Sequence, residues 1–165
     1  MMQNLIPKKE EEERRLKALA EYRILGTKPE SCYDDITKIA ASTCNVPISL
    51  MTLVDKDKQW FKSKVGLEIN ETKRDWSFCT HAIQENSPLI IQDAFQDERF
   101  INNPLVTGDP KIRFYAGFPL KNREGNKLGT LCVIDRKPGD LSPKQYNVME
   151  LLSKQIVSFL ELRKK

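Results

Sequence analysis

The sequence has few of the features that place a protein in a membrane or outside the cell. Among its 165 residues, no apolar stretch approaches the roughly 18–20 residues that cross a bilayer, and the charged N-terminus has no secretory hydrophobic region. Cysteine and histidine are also scarce. Four cysteines without a Cys-x-x-Cys pair and a single histidine argue against a structural zinc site. We expect a cytoplasmic protein without a metal or a membrane partner, whose cysteines are reduced and mostly buried.

The charge pattern gives little reason to expect a nucleic-acid partner. The net charge of +4 comes from 27 basic and 23 acidic residues dispersed along the chain, whereas nucleic-acid-binding surfaces are clustered and strongly basic. A composition of 39% hydrophobic and 30% charged residues is ordinary for a globular protein. The length fits a single domain with a substantial core.

Helical patterns lie near both ends of the chain. A first helix is predicted over residues 8–25, where a thin apolar stripe suits either packing on its own domain or pairing with a second copy. A second helix is predicted over 30–43, and a last one runs from Ser142 to the C-terminus. Ser142, followed by a proline and then by Gln145, has the capping-box pattern. We expect the last helix to pack on a sheet or on the equivalent helix of a partner.

Strand patterns occupy the middle of the sequence. Residues 48–54 are apolar on both alternating faces, which predicts a central strand. Alternation in residues 59–65 places Phe61 and Ser63 on one face of a second strand. Further strands are predicted over 89–93, 114–120 and 127–135, a helix over 77–86, and a loop over 66–75. The economical architecture is an α+β fold, with a mostly antiparallel sheet of about five strands and helices gathered on one side.

A long, aromatic-rich segment, residues 94–113, joins two of the predicted strands. It is dense in turn formers, with Pro104 and Gly108 among them. Loops of ~12 or more residues tend to be functional or disordered, and Phe100 and Ile112 make this one too apolar for disorder. We therefore predict that residues 94–113 pack over the sheet as a lid and leave enclosed room beneath it.

Several sequence runs, in this order along the chain, resemble those of the GAF domain family. The resemblance is strongest to the group that precedes bacterial histidine kinases and diguanylate cyclases. It implies a PAS-like central antiparallel sheet of about five to six strands, with the N- and C-terminal helices on one face and a lid of short helices and loops on the other. The matching runs are Val54-Asp55, Gln59–Ser63, Ser77–Cys79, His81–Ile83, Asp97, Arg99-Phe100, Asn102–Gly108, Ile112–Gly117 and Leu128–Asp135.

The resemblance also implies a domain division and a function. Residues 1–14 would be a helical extension and residues 15–162 the GAF domain, with the helix over 142–165 available for dimerisation or signalling. Family members are regulatory domains that bind a small molecule or only dimerise. This chain would sense a ligand between sheet and lid and signal as a homodimer through its terminal helices, to a kinase or cyclase output domain in cis or in trans.

The ligand is not identified by the sequence, and no cofactor is assigned. The Asn-Lys-Phe-Asp-Glu signature of cyclic-nucleotide-binding relatives is absent, and no cysteine lies in the Cys-His pair of bilin-binding relatives. Two alternatives stay open. One is a thiol-dependent enzyme resembling the GAF proteins that reduce free methionine sulfoxide, and the other is a dimerisation module with a filled pocket.

Aromatic residues form the first group of candidate ligand contacts. Trp60, Phe100, Phe114 and Tyr115 are predicted to wall an apolar pocket, and Phe78 lies on the inner side of the predicted helix. The same side chains would equally fill the space between lid and sheet.

Cys79 and His81 are the reactive candidates in the same region. Histidine titrates near neutrality, so it suits a switch, a metal ligand or a base, and a thiol near a helix N-terminus has a lowered pKa. Packing in the core is the plainer use of both. The sequence offers no third, orienting partner, so we assign no catalytic residue.

Charged residues form the last group of candidates. Arg99 and Arg113 bracket the lid, and Asp93 and Asp97 lie nearby. Either ion pairs pin the lid, or a guanidinium points inward to bind a carboxylate or phosphate.

A further basic cluster lies at one end of a predicted hairpin. Lys121, Arg123 and Lys127 fall on either side of the turn between the last two strands. We expect this cluster to be only a solvated turn.

Overall fold

The structure, a computed structural model, describes residues 5–164, and their side chains from residue 8 onward. It consists of one six-stranded sheet, in the order β3-β2-β1-β6-β5-β4, with helices on both faces. Every neighbouring pair of strands is antiparallel. The elements are α1 Leu5–Glu21, α2 Ser31–Cys44, β1 Ile48–Val54, β2 Lys58–Val65, β3 Glu71–Lys73, α3 Phe78–Ala82, β4 Leu89–Ile91, α4 Pro104–Thr107, β5 Phe114–Lys121, β6 Lys127–Asp135 and α5 Pro143–Arg163.

The predicted α+β architecture is confirmed, and its central strand is β1. All residues of β1 are buried because the sheet is covered on both faces. The loop predicted over 66–75 is wrong in part, since Glu71–Lys73 adds a short edge strand to β2. The helix predicted over 77–86 is also shorter than expected and ends at Ala82.

The terminal helices cover one face of the sheet. α1, α2 and α5 bury a continuous apolar cluster, which we call the helix-side core, against β1, β5 and β6. Burying a large apolar side chain contributes about 1.5–3 kcal/mol, so this core accounts for much of the stability of the fold. Among its most buried members are Leu19, Tyr22, Tyr33, Met51, Leu53, Phe118, Leu131, Met149 and Ile156.

The ends of the terminal helices follow the sequence signals only in part. At the start of α5 the predicted capping box is confirmed: Gln145 N donates to Ser142 Oγ at 3.1 Å, and Ser142 N donates to Gln145 Oε1 at 2.8 Å. The first helix ends at Glu21 and not at residue 25, because the backbone turns left-handed at Arg23, with φ of 51°. α1 continues past residue 14 without a break, and Arg15 is the first buried residue among its side chains from residue 8 onward.

A bulge in β2 changes which side chains meet α2. The register with β1 shifts so that Met51 pairs with Ser63 and Thr52 pairs with Phe61. Lys62 is therefore the extra residue. The predicted placement of Ser63 beside Phe61 is wrong: the Ser63 hydroxyl lies 2.7 Å from Thr37 Oγ1 on α2, on the helix side.

The opposite face of the sheet is covered by α3, α4 and the segment that joins β4 to β5. Here a second apolar cluster, the lid-side core, separates the covering layer from the sheet. Its members include Ile48, Leu50, Phe61, Phe78, Phe100, Leu105, Val106, Ile112, Tyr115 and Ile134.

Candidate functional site

The segment 94–113 packs down on the sheet, as the sequence predicted. Phe100 is completely buried, and its ring stacks on that of Phe78, with centroids 4.0 Å apart. Phe78 in turn lies 5.1 Å from the ring of Tyr115 on β5. The three rings form a continuous path from the lid through α3 to the sheet.

Short polar side chains shape the lid locally. The Asp93 carboxylate accepts a hydrogen bond from Phe95 N at 3.0 Å and begins a short 3-10 turn. Asn103 caps α4 by accepting from Leu105 N at 2.8 Å, and its amide donates to Trp76 O at 3.1 Å. Asp93 is thus a lid-shaping residue, because its carboxylate is used by the backbone.

Arg113 holds parts of the lid together. Its guanidinium donates to the carbonyl oxygens of Val106 and Ile112, both at 2.9 Å, and lies 3.6 Å above the ring of Phe95. The sequence left open whether the arginines pin the lid through ion pairs or bind an anionic ligand. The contacts of Arg113 match a role in pinning the lid, although its partners are carbonyls and an aromatic ring instead of a carboxylate.

Arg99 forms the ion pair expected near the lid. It donates to both Asp97 oxygens, at 3.0 and 2.7 Å, and its side chain is 48% exposed. The His81 ring meets Phe100 edge-on, with centroids 4.8 Å apart. Burial, followed by the nearby Arg99 charge, lowers the pKa of His81 below its ordinary value, which favours the neutral imidazole. These groups lie at the outer rim of the lid.

Beneath the lid, a thiol and several hydroxyls meet on the sheet surface. Cys79 Sγ lies 3.1 Å from Tyr115 Oη and 3.0 Å from Thr130 Oγ1. The hydrogen bonds continue from Thr130 to Thr52, whose hydroxyl oxygens lie 3.0 Å apart. Gly117 makes this possible, since a Cβ there would lie only 2.2 Å from Tyr115 Oη.

The thiols of this cluster have shifted acidities. Burial acts to raise the pKa of Cys79, but hydrogen bonds from Cys132, Thr130, Thr52 and Tyr115 outweigh it and lower the pKa to about 7. Burial and the neighbouring Cys79 raise the pKa of Cys132 well above its ordinary value. Hydrogen-bond donation to the charged form is what favours one thiolate over the other.

A second polar group lies at the β3 end of the same space. Ser77 Oγ donates to Gln59 Oε1 at 2.8 Å, and Gln59 Nε2 donates to Thr72 Oγ1 at 2.9 Å. Ser77 also caps α3 by accepting from Thr80 N at 3.2 Å. The sequence reading missed Gln59 and Thr72. For Gln59 the available signal was a polar residue at the start of a predicted strand, whereas Thr72 lies in a three-residue strand that carries no apolar pattern.

The space enclosed between lid and sheet is small. The cavity measures about 20 Å³, which is room for about one water molecule. No charged side chain is among the residues that line it, and Ile69, 46% exposed, stands at its outer edge. The wall consists of Leu50, Gln59, Phe61, Leu67, Ile69, Thr72, Phe78, Cys79, Leu105, Pro110, Ile112, Tyr115, Cys132 and Ile134.

Two of the predicted pocket residues face away from this cavity. Trp60 and Phe114 both belong to the helix-side core. Each precedes a residue of the lid-side core, Phe61 and Tyr115 respectively, and successive strand residues point to opposite faces. The assignment of Trp60 and Phe114 to the pocket wall is therefore corrected, while Phe78, Cys79 and Tyr115 do meet at the cavity.

The cysteines are placed largely as the sequence indicated. All are free, with Cys44, Cys79 and Cys132 buried and Cys32 partly exposed. Within residues 5–164, no cluster of His, Cys, Asp and Glu side chains has the makings of a metal site. No helix in the same range is long and apolar enough to cross a bilayer.

The fold and this site define a domain of the GAF type. The GAF domain family model matches residues 28–159, and the chain belongs to that family. It is 37% identical over 153 residues to a cyclic di-GMP phosphodiesterase of Pseudomonas aeruginosa, with 92% of this chain and 26% of that protein covered. The chain thus spans about a quarter of the length of this relative.

Solved structures show the same fold at low sequence identity. The GAF domain of an Acinetobacter phosphoenolpyruvate-protein phosphotransferase superposes with a TM-score of 0.68 at 16% identity, with 94% of this chain and 93% of that one covered. A free methionine-R-sulfoxide reductase of Neisseria meningitidis, solved with its substrate, gives 0.66 at 12% identity, with coverage of 87% and 86%.

Proposed function

We propose that this chain is a regulatory GAF domain that binds a small molecule between sheet and lid and transmits the bound state through its terminal helices. The observation that carries the proposal is the set of thiol, hydroxyl and amide groups buried at the wall of the lid-side cavity. Ligand sites are mostly apolar concavities with a few well-placed polar groups. Cys79, Tyr115 and Gln59 supply such groups in an otherwise apolar wall.

The lining also defines the class of ligand. A buried charge is costly without a partner, and no lysine, arginine, histidine, aspartate or glutamate lines the cavity. The ligand is therefore an uncharged compound with one or two hydrogen-bonding groups. Since about 20 Å³ holds only one water, binding requires part of the lid to move outward. We expect Ile69, which is exposed, to separate from Leu105, since both side chains line the cavity.

The signal of ligand binding would pass through the sheet to its helix-covered face. The cavity floor and the helix-side core share β1, β5 and β6, so a movement of these strands reaches α1 and α5 directly. On α5, Leu151 and Leu162 are 57% and 65% exposed, which suits a homodimer that pairs through the terminal helices. A ligand shifts such a dimer only by its differential affinity for two arrangements.

The activity that this domain would regulate is proposed from its relatives. The name of the Pseudomonas aeruginosa relative supports an output in cyclic di-GMP turnover, and a kinase or cyclase in cis or in trans fits the same role. A cytoplasmic location is part of this proposal.

The test compares two apolar-to-tryptophan variants at exposed positions. Wild-type protein is incubated with the small-molecule extract of a bacterial cytosol and weighed by native mass spectrometry. Ile69→Trp fills the mouth of the cavity, whereas Ile101→Trp enlarges an exposed lid side chain (42% exposed) that does not line it. We expect a bound mass on wild type and Ile101→Trp that is lost on Ile69→Trp, with reduced amide exchange in residues 94–113 on binding.

Two other results would contradict a ligand site under the lid. The same bound mass on all three proteins would place the ligand elsewhere on the surface. No bound mass on any of them, with concentration-dependent dimerisation in sedimentation, would leave a dimerisation module with a filled pocket.

A thiol-dependent enzyme is the second candidate, because two cysteines reach the same cavity. Cys79 and Cys132 both line it, and the solved neighbours include a free methionine-R-sulfoxide reductase. In such a reaction two thiols form a disulfide, and the sulfoxide oxygen leaves as water. A turnover assay with free methionine sulfoxide and dithiothreitol decides the matter: activity that Cys79→Ser abolishes and Cys32→Ser retains would favour the enzyme.

A further inference from the structure

A larger concavity than the lid-side cavity lies on the helix side of the sheet. It measures about 320 Å³ and opens between α5 and the ends of β5 and β6. Phe118, Pro119 and Val157 provide apolar walls. We call this concavity the lysine groove, after the three lysines that line it. Its full lining is Asn86, Pro88, Phe118, Pro119, Lys121, Lys127, Glu150, Ser153, Lys154 and Val157.

The groove exists because β4 is short. β4 pairs only with Tyr115–Gly117 of β5, so the edge of β5 from Phe118 onward has no neighbouring strand. Pro119 lies in this part of β5 and has no N–H to donate, and α5 packs against the same strand. An open strip of apolar surface therefore remains between the edge of the sheet and α5.

The lysines of the groove come from three different elements. Lys121 ends β5, Lys127 begins β6, and Lys154 lies on α5. Lys121 and Lys127 are direct cross-strand partners, an arrangement in which like charges destabilise a sheet. Burial, followed by the Lys121 charge, lowers the pKa of Lys127. The positive charges are therefore close enough to repel one another.

This repulsion is not relieved by ion pairs in the described part of the chain. None of the three ammonium groups lies within 4.0 Å of a carboxylate there. Elsewhere, lysines that bridge elements do have such partners, as Lys62 has in Glu30 and Lys164 has in Glu124. In the lining itself the three lysines face one acidic residue, Glu150. Glu11 and Glu85 act on Lys127 from outside the lining, but their opposing effect is smaller than that of burial and of Lys121.

We infer that the lysine groove is a second ligand site, which binds a small organic phosphate or polycarboxylate. Ammonium groups on flexible stems bind such anions as point charges, and an anion among them removes the like-charge repulsion. The apolar part of the ligand rests on Pro119 and Val157, which are both partly exposed. The volume of about 320 Å³ falls within the range of small-molecule pockets, and the site does not depend on any ligand under the lid.

Occupation of the groove would also have a mechanical consequence. Lys154 belongs to α5, whereas Lys121 and Lys127 belong to the sheet. An anion that contacts all three ties the last helix to the β5–β6 hairpin. The site thus acts on the helix proposed to carry the signal.

The experiment uses 1-naphthyl phosphate as the probe, with 1-naphthol and inorganic pyrophosphate as its apolar and charged halves. Binding to the full chain is followed at 150 mM KCl by backbone amide NMR shifts and by calorimetry. We expect 1-naphthyl phosphate to shift the amides of residues 118–127 and 153–157 and to bind more tightly than either half. Lys127→Gln and Lys154→Gln should each weaken it by about tenfold, and the double variant should abolish it.

The matched control is Lys144→Gln, an exposed lysine of the same helix outside the groove. It should bind like wild type, and the variants should keep the wild-type amide spectrum in the absence of probe. Binding that survives in the Lys127→Gln/Lys154→Gln variant would overturn the inference. Amide shifts spread over all surface lysines would also overturn it. So would binding that Lys144→Gln weakens as much as the groove variants do, because both results indicate unspecific attraction of anions.

Discussion

Arg74 donates a hydrogen bond of 2.6 Å to the Glu12 carboxylate and so joins α1 to the segment that precedes α3. The same carboxylate accepts from Arg15 at 2.9 and 3.1 Å. The carbonyl of Arg74 accepts from Ser77 N and from the Thr80 hydroxyl, which fixes the start of α3. Glu12 is therefore a direct mechanical link between the N-terminal helix and the layer that carries Cys79.

The Glu12 link predicts an acid-sensitive part of the stability. Burial acts to raise the pKa of Glu12, but the hydrogen bonds from Arg15 and Arg74 outweigh it and lower the pKa from 4.5 to about 2. The unfolded chain then binds the proton more readily, so this stabilisation is fully present above pH 4.5 and is lost as the pH falls toward 2. Because the Glu12 side chain is 33% exposed, solvent screening limits the effect to about 1 kcal/mol.

Urea unfolding at pH 7 and pH 3 measures this contribution. Wild type should lose about 1 kcal/mol more than Glu12→Gln between the two pH values. Glu13→Gln is the control, since Glu13 is an exposed neighbour on the same helix. An identical pH dependence for wild type and Glu12→Gln would show that the link adds nothing to folding.

Gly117 predicts a steric requirement beneath the lid. A Cβ at this position would lie 2.2 Å from Tyr115 Oη and 2.6 Å from its ring carbon Cζ. Tyr115 is almost fully buried, so its ring cannot move without repacking the lid-side core. Gly117→Ala should therefore lower the free energy of unfolding by about 1–3 kcal/mol and change the near-ultraviolet circular dichroism of the tyrosine.

Gly139→Ala supplies the matched comparison for Gly117→Ala. A Cβ at residue 139 would meet Phe114 at 3.5 Å, an ordinary van der Waals contact. Its unfolding free energy should stay within about 0.5 kcal/mol of wild type. If both glycine variants unfold alike, the close approach of Tyr115 does not constrain the fold.

We predict that the exposure of each cysteine, and not the pKa of its thiol, decides which one reacts in the native protein. The pKa of Cys79 is about 7, which alone would make it the most reactive thiol at neutral pH. Yet Cys79 is only 2% exposed beneath the lid, whereas Cys32 is partly exposed. A short pulse of N-ethylmaleimide should add one label to the native protein, none to Cys32→Ser, and four to wild type in urea. Rapid labelling of Cys79 would instead show that the lid opens on the timescale of the pulse.

The strands and long helices were predictable because their patterns are local. β1 and β6 contain apolar runs of strand length, α5 has apolar residues at helical spacing, and the capping box at Ser142 marks the start of α5. The GAF resemblance then placed the helices and the lid on opposite faces. β3 was missed because its three residues carry no apolar pattern and are held only by backbone pairing with β2.

The faces of individual side chains were harder to predict, for a physical reason. In β5 both faces are buried, so hydrophobicity does not distinguish Phe114, under the helices, from Tyr115, under the lid. In β2 the bulge at Lys62 arises from pairing with β1 and turns Ser63 toward α2. The lysine groove was likewise invisible, because Lys154 meets Lys121 and Lys127 only when α5 crosses the sheet.

Glu30 gives the last prediction, since it balances a buried cation. The Lys62 side chain is fully buried, with its ammonium 2.6 Å from the Glu30 carboxylate, which also binds Arg163 at 2.9 Å. Glu30→Gln leaves the Lys62 charge buried without a counter-charge, so it should destabilise by about 2–4 kcal/mol. Lys62→Met keeps the volume and removes the charge, so it should cost less in urea unfolding, and adding it to Glu30→Gln should restore part of the loss. If Lys62→Met is as damaging as Glu30→Gln, the ammonium is held by the Thr27 hydroxyl and the Lys28 carbonyl and the carboxylate is dispensable.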